Sequence, residues 1–207
     1  CADALFSFLP MEVHQFKLPF EAFLIILLIV LNLRGVKESV TVLAPIFIIF
    51  IVTHAFMLGY GILTHLDDIQ PITREFHGNF QHGLSTLGGL GMFLLFLHAY
   101  SLGGGTYTGI EAVSNGLQIM REPRVQSGKR TMAYMSISLA LTAGGIFICY
   151  LLLKVRPIEG QTLNAVLAGN LFGRWNFGHW LALITILSEG ALLLVAAQTG
   201  FLDGPRV

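Results

Sequence analysis

Hydrophobic positions in this 207-residue chain come in long blocks, and the polar positions collect between them. Residues 39–66, 76–110 and 131–153 contain no Asp, Glu, Lys or Arg. A helix that crosses a bilayer needs about 20 mostly apolar residues, and each of these runs is that long. None shows the strict alternation over about 10 residues that marks a barrel strand. The pattern predicts an all-α polytopic membrane protein with spans near 18–33, 40–64, 84–119, 131–153 and 179–200. Residues 1–10 read as the tail of a helix stopped by Pro10, and Pro19 suits a first helical turn. Between the spans lie a short basic link, RGVKES, a polar connection over 66–83, and a second basic link, MREPRVQSGKR. Residues 154–178 form a mixed loop with a short helix expected near 161–171.

Composition sharpens the solvent argument. Hydrophobic residues make up 54% of the chain and charged residues 12%, whereas a soluble domain carries about a quarter charged residues. Net charge is zero, so there is no basic footprint for nucleic acid. Cys1 and Cys149 sit in or beside apolar segments and read as inert thiols rather than a disulfide. The chain opens on Cys1 without a basic signal region and closes on GFLDGPRV just after an apolar run. Both ends read as cut from a longer protein. Arg34, Lys37, Arg121, Arg124, Lys129 and Arg130 crowd the two short links. Positive charge concentrates on the cytoplasmic side, so both links are expected there, with the loops that hold Lys17, Arg74, Lys154, Arg156 and Arg174 opposite. The expected location is the cell inner membrane, as a multi-pass protein.

The 84–119 segment is too long for one straight crossing. As a continuous helix it would extend about 54 Å at 1.5 Å per residue, against a hydrocarbon core about 30 Å thick. The sequence SLGGGTYTG marks an expected break at 103–109, because each glycine costs a helix about 1 kcal/mol relative to Ala. Unwound backbone at membrane depth persists only where it is buried or lines a cavity. Free carbonyls at such a break hold a cation, and the N-terminus of the following half-helix holds an anionic group. Glu111 falls in the first turn of that second half, three residues after Thr108. A carboxylate at this depth is expensive and marks function by default; proton coupling suits it. Close helix packing would also account for three glycines, and the Thr-Tyr-Thr-Gly-x-Glu continuation weighs against packing alone. A phosphate-cradling glycine loop is excluded, since no strand precedes it and the spacing fails at Thr108.

Other polar residues carry weaker signals. Asp3 is a carboxylate on an apolar helix and a candidate for the same cavity. Glu189, beside Ser188 and Gly190, reads as an interior hydrogen-bonded carboxylate rather than a ligand. His54 and His98 read as packed neutral histidines, while Ser114 and Asn115 read as satisfied by backbone or neighbouring helices. His77 and His82 have no partners at metal-ligand spacing, so no metal centre is expected. Neither H-E-x-x-H nor G-x-S-x-G occurs, which argues against an enzyme.

The stretch GGGTYTGIEAVSNGLQIMREPRVQSGKRTM resembles the sixth helix and following loop of amino acid–polyamine–organocation superfamily permeases. ADALFSFLP, LNLRGVKES and AAQTGFLDGPRV agree with it, and the likeness covers nearly the whole chain. It implies a fragment of a LeuT-like inverted-repeat transporter with a discontinuous helix, running from the end of the third helix to the eighth. Within the superfamily the chain is most similar to bacterial proton-coupled potassium importers. On that resemblance Thr108 would ligate a monovalent cation and Glu111 would couple proton movement. Thr106, Tyr107 and the backbone at Gly104 and Gly105 would line the gap, and Asp3 would face the pathway. Phe6 departs from the family pattern, since the same resemblance implies a hydroxyl near that position for potassium. The resemblance also makes both basic links cytoplasmic. The expected function is proton-coupled uptake of potassium or another small cation; an amino acid or amine permease of the same fold is the alternative, and a non-transporting sensor a more distant one. Expected partners are the lipid bilayer, a small cation or amino acid as substrate, and a second copy of the chain in a homodimer. No cofactor is expected beyond the transported cation and protons.

Overall fold

A computed structural model describes residues 1–33, 40–104, 113, 114, 117, 120 and 122–202. Every regular element among them is helical: α1 (Ala2–Phe6), α2 (Lys17–Leu33), α3 (Val40–Thr64), α4 (Ile69–Leu102), α5 (Arg124–Leu152), α6 (Leu163–Phe172) and α7 (Gly178–Leu202). Tighter 3-10 turns at Met11–Phe16 and Leu66–Asp68 lead into α2 and α4. Among the described residues, five stretches are long and apolar enough to cross a membrane: Met11–Val30, Ala44–Thr64, Leu66–Leu102, Arg124–Leu152 and Gly178–Ala197. The chain is an all-helical, multi-pass membrane protein. It divides into two compact units, Cys1–Thr64 with Leu141–Val207, and His65–Ala140.

The first unit is built on α7, which packs against α1, α2, α3 and α6. Met57, Cys149, Leu167, Phe172, Thr185 and Ile186 are completely or almost completely buried there. Lipid tails are as apolar as leucine, so packing and interhelical hydrogen bonds must join these helices. Small residues allow the approach. A Cβ on Gly145 would lie 2.8 Å from Leu58 Cδ1, and one on Gly61 3.1 Å from the Cys149 sulfur. At Gly190 the neighbour is the Ala4 methyl, 3.5 Å away. Near the ends of α3 and α6, Phe56, Tyr60, Phe172 and Trp175 form an aromatic cluster, with Tyr60 edge-on to Trp175 at 4.9 Å.

Polar groups inside this unit find partners, the buried Nε2 of His54 excepted. Glu189 is the interior hydrogen-bonded carboxylate expected of it: Asn164 Nδ2 donates to its Oε2 at 2.9 Å, tying α6 to α7. The Tyr150 hydroxyl donates to the same Asn164 through Oδ1, bringing in the end of α5. His54 is buried against the Phe50 ring at 4.0 Å, its Nδ1 3.0 Å from the Phe50 carbonyl oxygen. That is the setting of a packed histidine. The Cys149 thiol is buried, 4.0 Å from the Leu58 carbonyl oxygen.

The second unit differs from the sequence expectation in two respects. Helix α4 begins at Ile69, well inside the stretch read as a polar connection. Ile69, Ile72, Phe76, Phe80, Leu84 and Leu87 recur every three or four positions, which is the spacing of one helical face. Pro71 sits in the first turn, where a missing N–H does no harm. Polarity here therefore reports a half-apolar helix rather than a loop. The second difference is a non-helical residue within α4, Gly88, at φ 70 and ψ 171. Only glycine takes that conformation without strain, and the ladder is interrupted there.

Candidate functional site

The α-helical part of α4 ends at Leu102, and Gly103 and Gly104 continue in a tighter 3-10 turn. Gly104 is thus the described member of the expected glycine-rich site. Gly105, Thr106, Tyr107, Thr108 and Glu111 lie outside the described residues, as does Asn115. Asp3, the remaining candidate, belongs to the first unit.

Asp3 lines a cavity of about 280 Å³. Its floor and walls come from Phe6 of α1, His14 of the 3-10 turn, Lys17 at the head of α2, and the loop segment Gly160, Gln161 and Thr162. The local sequence dictates this meeting. Pro10 ends the first turn of chain after α1 and opens the Met11–Phe16 3-10 turn, which reverses direction so that Lys17 returns beside Asp3. The Lys17 ammonium forms an ion pair with Asp3 Oδ1. The two side chains remain 34% and 64% exposed, so the pair sits at the cavity rim within reach of solvent.

Ser7 fastens the wall. Its hydroxyl donates to the Asp3 carbonyl oxygen at 2.6 Å and accepts from the Thr162 backbone N–H at 2.9 Å. Thr162 in turn caps α6, accepting from the Ala165 N–H at 3.2 Å. Gly160 closes the loop at φ 79, and a Cβ there would come within 2.6 Å of the Met11 sulfur and 3.0 Å of His14 Cε1. Both the backbone conformation and the close approach require glycine. Phe6 is buried with its ring 5.7 Å from both His14 and Phe20, an apolar plate under the charged rim. Phe6 offers no hydroxyl to the cavity, and the hydroxyl of Ser7, one position on, is engaged with the Asp3 carbonyl and the loop.

Chemically, the rim offers one carboxylate facing a cavity large enough for a small cation with several of its waters, given about 30 Å³ per water in the liquid. Among the described residues, Asp3 Oδ1 takes the ammonium and no hydrogen bond reaches Oδ2. No group of three or more His, Cys, Asp or Glu among the described residues is placed to hold a metal ion. The sequence pattern points to Asp3 and misses Lys17 and the 160–162 wall. Their signals are non-local: Lys17 follows Asp3 by fourteen residues, and Thr162 follows Ser7 by 155.

No family model matches the chain, and no solved structure matches it. Among curated proteins it is similar to potassium transporter KimA of Bacillus subtilis (strain 168), with 31% identity over 206 residues. The matched region is 99% of this chain and 32% of that protein, so the chain spans about a third of its relative's length. The similarity is to a transporter and runs through both units.

Proposed function

We propose that this chain is part of a secondary active transporter of the amino acid–polyamine–organocation type, carrying potassium or another small cation into the cell together with protons. The single observation that carries the proposal is the 31% identity to potassium transporter KimA across 206 residues. Two physical features support it. The sequence has a glycine-rich interruption in a membrane segment, where unwound carbonyls replace an ion's hydration shell. The structure puts an acidic side chain, Asp3, on a cavity that a hydrated monovalent ion fits.

In this mechanism the backbone near Gly104 and Gly105, the hydroxyls of Thr106 and Thr108 and the Tyr107 hydroxyl surround the cation. Asp3 supplies countercharge on the pathway. Glu111 exchanges a proton as the transporter changes the side it faces. The bond-by-bond requirement is modest, because a monovalent ion needs oxygen ligands rather than an activated group, and no enzyme chemistry is called for.

A second reading draws on one structural observation: Asp3 already holds a primary ammonium, that of Lys17. A site that accepts an alkylammonium suits an amine or amino acid substrate. Uptake assays separate the two. Thr108→Val removes one ligand oxygen, worth about 1 kcal/mol, and should raise half-saturating potassium about fivefold. An unchanged value with full potassium uptake removes Thr108 from the site. Potassium-independent accumulation of a labelled amino acid by the full-length protein replaces the cation reading with the amine one.

A further inference from the structure

Lys17 has no place in the mechanism above, yet it occupies that mechanism's carboxylate. It is the first residue of α2, delivered to Asp3 by the 3-10 turn, and its ammonium sits on Oδ1 at the mouth of the cavity. An ammonium and a monovalent cation carry the same charge and both satisfy carboxylate oxygens. They therefore compete for one position. We propose that Lys17 is a tethered cation that fills the Asp3 carboxylate when the pathway is empty, and that the transported ion must displace it to bind.

Exposure and anchoring make the exchange workable. Asp3 is 64% exposed and Lys17 34% exposed at the side chain, and pairs of this kind are weak and screened by salt. A buried pair would hold too firmly to yield to an incoming ion. The backbone that carries the carboxylate stays anchored when the lysine leaves. Ser7 grips the Asp3 carbonyl, Thr162 holds Ser7, and Gly160 lets the loop pack against Met11 and His14. The lysine, by contrast, ends a flexible four-carbon stem with three rotatable donors. The backbone of one partner is anchored and the long side chain of the other can swing. The function of such a device is selectivity by threshold: an ion that cannot outcompete an ammonium for Asp3 does not enter. The proposal makes Lys17 a specificity-determining residue for the reaction proposed above, and it rests on that cation reading.

The test uses the full-length protein in proteoliposomes, with the initial rate of potassium uptake measured against external potassium. Wild type, Lys17→Met and Lys17→Arg are compared, and a melting temperature is taken for each. Lys17→Met keeps the stem and removes the competitor, so half-saturating potassium should fall about two- to fivefold, the strength of an exposed ion pair. Lys17→Arg keeps a tethered charge and should retain the wild-type value. If Lys17→Met does not assemble, Lys17→Gln serves in its place. An unchanged half-saturation in the neutral variant overturns the proposal, and so does a fall in both variants or loss of uptake by a folded neutral variant. Absence of potassium uptake in the wild type overturns the cation reading itself, which separates the two failures.

Discussion

The two units hold their helices by different means. In the first, α7 is wrapped by four other helices, glycines and alanines bring backbones together, and a Tyr150–Asn164–Glu189 chain crosses three elements. In the second, the 34-residue α4 has no buried side chain along its length. Its first half shows one apolar face and its second half is apolar all round, so lipid or protein must cover it in the membrane. Where packing is dense, a residue is constrained by its neighbours. Where it is sparse, the backbone itself is the variable part, as the interruption at Gly88 and the 3-10 turn at Gly103 and Gly104 illustrate. The first unit is a frame that presents Asp3, and the second carries the segment whose carbonyls and hydroxyls are proposed to hold the ion.

That contrast is broken most directly in the frame. Phe172→Ala empties a fully buried site stacked against Phe56, and should cost about 3–5 kcal/mol. Thermal unfolding of the detergent-solubilised protein checks this; a loss below that of an exposed phenylalanine such as Phe96 would mean the frame is not tightly packed. Gly145→Val comes next. It drives a branched side chain into Leu58, with an expected loss of about 1–3 kcal/mol.

A comparable effect separates charge from hydrogen bonding. Glu189→Leu strands the Asn164 amide and should cost about 1–3 kcal/mol. Glu189→Gln still accepts through its carbonyl oxygen and should unfold near the wild-type temperature. Equal losses in both would mean that the charge, rather than the bond, holds α6 to α7. The smallest stability change belongs to α4. Gly88→Ala favours a continuous helix, which gains about 1 kcal/mol in propensity and loses the glycine-only conformation. Unfolding should therefore shift little while uptake falls. A large loss of stability with normal uptake would reverse the division of labour between the units.

The spans are legible in the sequence because a water-soluble fold rarely sustains a charge-free run of 20 or more residues, and the short helix near 161–171 is legible from its flanking loop residues. Two features of α4 are not. Its charged and amide side chains mask the period of its first half, although Ile69, Ile72, Phe76 and Phe80 carry the helical spacing. Gly88 is masked because Gly88, Gly89 and Gly91 lie within a long apolar run, whereas the triplet at 103–105 is contiguous and followed by hydroxyls. At the site, Asp3 is visible as a carboxylate in an apolar setting. Lys17 is not, since nothing local says that a turn after Pro10 will fold it back onto Asp3. Thr106, Tyr107, Thr108 and Glu111 rest on the sequence pattern alone.

Asp3 and Glu111 are assigned above to the movement of a small cation. Growth on limiting potassium, in cells lacking their own potassium importers and expressing the full-length protein, tests that assignment most directly. The expected result is rescue by the wild type, loss of rescue with Asp3→Asn, and rescue that no longer depends on external pH with Glu111→Gln. Rescue that survives both substitutions with its pH dependence intact, or no rescue by a well-folded wild type, would contradict it.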